Sequence, residues 1–187
     1  SIRKLGIAAV FTREPGGTRA GEEIRRILLN HLHKGLSPLA ELLLYEADRA
    51  QHIVETIRPA LADKRWVICD RFGDATTVYQ GFARKQDISL IETLNTAVCQ
   101  GITPDVTFLL DCPVELGLRR ALRRNRSESL ETQGRFEEEA LQFHEAVREG
   151  YLELAKKAPE RFVVLDGTLP EKRLEHVILG HLEPFFP

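Results

Sequence analysis

The strongest constraint on the fold is an alternation. Four short apolar, β-rich runs, at residues 7–11, 66–69, 106–110 and 162–165, are separated by long stretches with helical periodicity. Each run is too short for a helix and lacks strict in–out alternation, the pattern of strands buried on both faces of a parallel sheet. The helical stretches cover 18–30, 38–62, 88–101, 113–124, 136–158 and 170–182. In the second, Leu39, Leu42, Leu43, Ala47, Ile53, Val54 and Ile57 hold the apolar positions, and Pro59 is expected to bend or shorten its end. Pro113 and Pro170 stand where helices would start, a place that proline tolerates. Strands alternating with helices imply right-handed crossovers and an α/β fold, a doubly wound parallel sheet with flanking helices. With no repeat, low-complexity tract or linker, residues 1–187 read as one domain.

Composition narrows the function classes. At 43% hydrophobic and 29% charged residues the chain has the make-up of a globular protein. No apolar run approaches the ~20 residues of a membrane helix, and no secretory signal opens the chain. A formal net charge of -2 gives no general attraction to nucleic acid or anionic membrane, so neither is expected as a partner. Cys69, Cys99 and Cys112 form no C-x-x-C pair and read as reduced thiols of a cytosolic protein. The six histidines show no metal-binding spacing. The chain opens on Ser1 and contains no Met, which is unusual at this length.

In doubly wound sheets ligands bind beyond the carboxyl ends of the strands. Four segments therefore matter: residues 12–18 (T-R-E-P-G-G-T), residues 70–81 (D-R-F-G-D-A-T-T-V-Y-Q-G), Asp111, and residues 166–168 (D-G-T). Their acids and arginines suit phosphates and a metal ion. Asp70-Arg71 places a carboxylate and a guanidinium at a strand mouth, where Arg can grip phosphate oxygens with two parallel hydrogen bonds. An ordinary ion pair at a strand end is the bland alternative. Pro15-Gly16-Gly17 signals a turn, and Thr18 is a plausible N-cap whose helix would point free N–H groups at an anion. Tyr45 and Arg49, four residues apart, share a helix face and form a ring with an adjacent donor, although a core Tyr with a surface Arg would look the same. Arg119, Arg120, Arg123, Arg124 and Arg126 crowd into eight residues, with Arg135 following. Such density repels itself unless it meets anions, and it suits a solvated helix, a nucleic-acid patch or a phosphate clamp. The polar, partly acidic residues between Arg126 and Arg135 favour a lid that brings arginines onto a nucleotide.

Together these segments resemble bacterial thymidylate kinases, members of the P-loop nucleoside monophosphate kinases, over essentially the whole chain. The likeness rests on F-T-R-E-P-G-G-T, L-L-L-Y-E-A-D-R-A-Q-H, D-R-F-G-D-A-T-T-V-Y-Q-G, P-D-V-T-F-L-L-D-C-P-V-E-L-G-L-R-R, R-F-E-E-E and F-H-E-A-V-R-E-G-Y-L-E-L-A, in that order. It implies a cytoplasmic enzyme that moves a phosphoryl group from ATP, with Mg²⁺, to thymidine monophosphate in dTTP biosynthesis, commonly as a homodimer. It implies that Arg71 holds the thymidylate phosphate, with Asp70 and Arg13 beside it. Tyr45 would stack on thymine, Arg49 would bond the base, Thr76 would read the pyrimidine edge with Gln80 nearby, and Tyr79 would pack under the sugar. Arg124, Arg126 and Arg135 would belong to a lid at about 123–136 that closes over ATP, with Glu137 following. Gly134 stands where relatives often carry an acid, and the stretch 127–133 looks longer than theirs.

The family also opens with a strand and G-x-x-x-x-G-K-[ST], and this chain contains no such motif. That strand would be the middle one of a five-stranded sheet, so its neighbours are expected to keep unpaired backbone groups. The resemblance implies about thirty more residues upstream that supply this ATP-phosphate loop. Three other readings compete. A catalytically inactive thymidylate-binding remnant would bind without turnover. A nucleic-acid binder would show steep salt dependence. A kinase for another nucleoside monophosphate would prefer another base.

Overall fold

Each apolar run becomes a strand in the computed structural model, which describes residues 2–127 and 134–186. The strands are β1 (Ala9–Arg13), β2 (Trp66–Asp70), β3 (Thr107–Asp111) and β4 (Phe162–Asp166). Each strand ends beyond its apolar run on a charged residue at the strand mouth, Arg13, Asp70, Asp111 and Asp166, while β1 starts at Ala9 rather than Ile7 and β3 at Thr107 rather than Val106. β1 pairs with β2 in parallel, setting Arg13 opposite Asp70, and β3 pairs with β4 in parallel, setting Asp111 opposite Asp166. Among the described residues the two pairs share no backbone ladder, so each of the four strands pairs along one edge.

Helices fill the intervals: α1 (Arg19–Leu29), α2 (Pro38–His52), α3 (Arg58–Ala62), α4 (Gly73–Thr76), α5 (Ile88–Cys99), α6 (Val114–Ser127), α7 (Leu141–Lys157) and α8 (Glu171–Leu182). Thr18, Ser37 and Asp87 cap α1, α2 and α5 by accepting backbone N–H bonds through their side chains, each cap contributing about 1 kcal/mol. The long helix expected at 38–62 is three pieces. A π-helical stretch, Ile53–Ile57, links α2 to α3, which places Pro59 in the first turn, where its missing N–H costs nothing. The segment after β2 also differs from a plain loop: α4 runs into a second π-helical stretch, Thr77–Ala83. α7 starts at Leu141 rather than at Phe136, which lies in the preceding turn and is buried.

Val78, Phe136, Phe143 and Val147 form a buried cluster, with Leu29, Tyr45, Tyr79 and Tyr151 packed against it. It joins the second π stretch to α7 and to the chain that follows Gly134. Burial of each such side chain contributes roughly 1.5–3 kcal/mol. Arg161, just before β4, grips Asp74 of α4 with two bonds of 2.6 and 2.8 Å and so ties the β3–β4 pair to the segment beyond β2. Of the lid expected at 123–136, residues 128–133 lie outside the described residues.

Candidate active site

The parallel pairing of β1 and β2 brings their C-terminal turns together. Glu14 N–H donates to the Asp70 carbonyl (3.0 Å), which extends the ladder one step past Arg13. A cis bond then joins Glu14 to Pro15, and Gly16 takes φ +109°, a left-handed conformation that favours glycine. At Gly17 a Cβ would run into the His52 ring, so only glycine lets this turn lie against α2. On the neighbouring strand Arg71 adopts φ +71°, unfavourable for a residue with a Cβ. Its guanidinium lies 5.3 Å from the centre of the Tyr79 ring. Tyr79, and after it Tyr151 and Tyr45, hold the Arg71 pKa above its usual value, so its charge is permanent. Strained backbone of this kind collects at functional sites.

Arg13 and Arg71 have a companion that the sequence reading left out. Arg25, on α1, donates to the Pro15 carbonyl (2.9 Å). Its pKa is lowered, first by burial and then by the charges of Arg13 and Arg71. Arg25 thus faces the charge of both Arg13 and Arg71, and guanidiniums gathered near one strand mouth gain by taking up an anion. Glu22 balances one of them, accepting from Arg13 at 2.8 Å. Nothing in the sequence marks it out; the packing does, because Arg25 lies one helical repeat beyond Gly21, whose added Cβ would touch the Gly16 backbone.

Beside this cluster Glu14, Tyr45, Arg49, Arg71, Phe72, Ala75, Thr76, Tyr79 and Gln80 line one small cavity. It encloses about 10 Å³ of free volume, scarcely room for one water. Admitting a ring therefore requires its walls to part. Arg49 is the organising group, buried and charged. Its Nε donates to Glu14 (2.9 Å), Nη1 to Glu46 (2.7 Å) and Asn95 (2.8 Å), and Nη2 to Thr76 (2.6 Å). Four of its five N–H groups are thus engaged within the described residues, leaving one on Nη2. The Phe72 ring lies 5.5 Å from the guanidinium carbon. Glu14 also accepts from His52 Nδ1 (2.9 Å), whose Nε2 pairs with Thr12 (2.7 Å). Burial raises the Tyr45 pKa, so this ring stays a neutral phenol.

The remaining assigned residues fall elsewhere. Arg135, expected over ATP, is 4% exposed and is held by Glu41 (2.6 Å) and the Leu28 carbonyl (2.5 Å). The physical reason is Glu41, a buried carboxylate that requires cationic partners. Glu41 also accepts from Gln80 (2.9 Å) and Arg84 (3.3 Å). Arg124 and Arg126 are exposed in the last turn of α6. Arg126 joins Arg119, Leu122 and Arg123 around an open basin of about 500 Å³, separate from the small cavity.

Glu14, His52 and Cys69 bring one oxygen, one nitrogen and one sulfur within 4.8 Å of one another. That donor set suits zinc better than Mg²⁺. Each group is already engaged, since the Cys69 thiol donates to the Arg71 carbonyl (2.9 Å).

The parallel α/β pairs, the three arginines and the adjoining ring-lined cavity gather cationic and aromatic groups at the strand ends, the place where nucleotide-binding α/β proteins take their ligands. The family model "Thymidylate kinase" matches residues 1–178. Among curated proteins, thymidylate kinase of Trichlorobacter lovleyi is 49% identical over 178 residues, which is 95% of this chain and 84% of the relative. That of Geobacter sulfurreducens is 53% identical over 168 residues, 90% of this chain and 79% of the relative. Among solved structures, thymidylate kinase from Ehrlichia chaffeensis superposes with a TM-score of 0.66 at 37% identity, covering 84% of this chain and 73% of that one. The chain belongs to the thymidylate kinase family.

Proposed function

We propose that this chain binds thymidine monophosphate in the ring-lined cavity with its phosphate on Arg13, Arg25 and Arg71, for transfer of a phosphoryl group from ATP. The observation that carries the reading is the arginine triad at the β1–β2 mouth, contiguous with a cavity that pairs a buried guanidinium with three aromatic rings. Phosphoryl transfer needs positioning and positive charge more than covalent help, and the triad provides both. Tyr45 and Phe72 supply faces for the base. Arg49 offers its remaining N–H to a ring carbonyl, Thr76 and Gln80 read the pyrimidine edge, and Tyr79 packs under the sugar.

The ATP side is assigned to the lid at about 123–136, with Arg124 and Arg126 as its phosphate contacts; the arginine-lined basin of α6 supports this. Arg135 would join only after leaving Glu41. Mg²⁺ takes oxygen ligands and keeps several waters. Asp70, an exposed carboxylate beside Arg71, fits such an ion, which when bound neutralises phosphate charge.

A homodimer fits the surface of α2 and the π stretch after it. Leu39, Leu43, Ala47, Ala50 and Val54 form an exposed apolar stripe at heptad spacing. Three free cysteines fit a cytoplasmic setting. Among the described residues no helix is long and apolar enough to cross a membrane.

The test is calorimetric binding of thymidine, uridine, cytidine and guanosine monophosphates, followed by coupled detection of ADP with ATP present. Preference for thymidine monophosphate in both assays is expected. Indifference to the base would overturn the roles given to Arg49 and Thr76, and binding without turnover would leave a thymidylate binder.

A further inference from the structure

The cavity must distinguish thymine from cytosine, rings of nearly equal shape whose edges differ in polarity. Thymine presents a carbonyl at position 4 and an N–H donor at position 3. Cytosine presents an amino group and a bare acceptor nitrogen. Arg49 can only donate, so it matches the carbonyl. The N–H at position 3 needs an acceptor facing it, and a glutamine side chain offers either polarity depending on which way its amide is turned.

Gln80 lines the cavity and is 1% exposed. Its Nε2 donates to Glu41 Oε1 at 2.9 Å. An ionised carboxylate accepts and never donates, so whichever prong of the amide meets Glu41 must be the NH₂. Glu41 is itself pinned: it is 1% exposed, Arg135 donates to its Oε2 (2.6 Å) and Arg84 to its Oε1 (3.3 Å). Flipping the Gln80 amide would set two acceptors against each other in a buried site, which costs the full desolvation of both. The remaining prong, Oε1, is therefore the acceptor left for a ligand.

We propose that Glu41 is a specificity-determining positioning residue, which touches no substrate and locks the Gln80 amide with its carbonyl available to the N3–H of thymine. This rests on the reading of Gln80 as a contact to the base. Glu41 thereby converts an ambiguous side chain into one that rejects cytosine.

The test compares binding of thymidine monophosphate and 5-methyl-deoxycytidine monophosphate, which share the methyl group, sugar and phosphate. Calorimetry on the full chain needs no turnover. Glu41→Gln lets the Gln80 amide turn either way, and the thymidine preference is expected to fall about tenfold, the worth of one buried donor–acceptor match. The diagnostic part is a gain in affinity for the cytidine analogue, which general damage to the fold would not produce. In a Gln80→Ala background, Glu41→Gln is expected to change the preference no further, because Glu41 acts through Gln80. If Gln80→Ala collapses the preference while Glu41→Gln leaves it intact, the role of Glu41 is overturned. If Gln80→Ala leaves the preference intact, the base reading of Gln80 is overturned as well. Should Glu41→Gln not fold, Glu41→Asp keeps the charge opposite Arg84 and Arg135 and draws the oxygen away from Gln80. Full preference in folded Glu41→Asp would then overturn the proposal.

Discussion

Arg71 and Arg25 reach the proposed phosphate site from different elements, one from a strained turn after β2 and the other from a helix. Arg71→Ala removes a charge-assisted phosphate grip and is expected to cost about 3 kcal/mol or more in binding of thymidine monophosphate. Arg25→Ala is expected to cost about 1.5–3 kcal/mol, because a hydrogen bond to a charged group is at stake. In both variants the affinity for thymidine, which lacks the phosphate, is expected to stay within twofold. Parallel loss of nucleoside binding would show that these arginines shape the cavity instead of holding phosphate. Arg71 was legible in the sequence because Asp-Arg follows a buried strand. Arg25 was hidden inside E-E-I-R-R, where nothing in the string separates it from Arg26, which pairs with Glu23 at 2.5 Å on the surface. Only the fold tells the two apart: one faces Pro15 and the other faces water. Arg135 is the reverse case: its motif suggested a lid, and in this structure Glu41 holds it inside.

At the level of elements, α2 concentrates buried ionisable groups: Glu41, Glu46, Asp48, Arg49 and His52. Its apolar periodicity made it readable as a helix, but periodicity cannot show that its charged face looks inward. Asp48 uses Oδ1 to accept the Gly16 N–H (2.9 Å), fastening the turn of residues 14–17 to the helix. Burial raises its pKa from the ordinary aspartate value of 3.8 to about 6, partly offset by that N–H bond. Between these two values the folded chain holds a proton that the unfolded chain releases. Stability therefore declines as pH rises from about 4 to about 6, and the penalty persists above that window. Asp48→Asn keeps an acceptor for Gly16 without the charge. It is expected to flatten this part of the profile and to raise stability at pH 7 by about 1–3 kcal/mol, as read from urea midpoints at pH 4, 5, 6 and 7. An unchanged profile would assign the titration to another group, Glu46 being next, since burial raises its pKa too. The π-helical stretches lay beyond the sequence reading for a related reason. A period of 3.6 does not reveal the one-residue widening that accommodates Pro59 in one case and sets Tyr79 and Gln80 along the cavity in the other.

Across the molecule, the strand–helix alternation made the fold class readable, and it pointed to the strand ends for the candidate site, because both readings follow from parallel pairing. How the two strand pairs are held to one another could not be read. Part of the answer is Arg161, whose fork on Asp74 spans 87 residues of sequence. Arg161→Ala is expected to lower stability by about 1–3 kcal/mol and to broaden the urea transition. A parallel shift with unchanged steepness would mean that the halves remain one cooperative unit without this tie. The apolar stripe on α2 makes a prediction at the same scale: Leu43→Asp is expected to give a monomer in sedimentation velocity, with binding of thymidine monophosphate retained. The placement of the chromophores has an optical consequence. All three tyrosines, Tyr45, Tyr79 and Tyr151, pack on one buried cluster, while Trp66, the single tryptophan, stands on β2 beside Phe186. Tyrosine absorbance therefore watches the cavity wall and tryptophan fluorescence the β1–β2 pair, so the two signals report separately on the candidate site and on the strands that carry it.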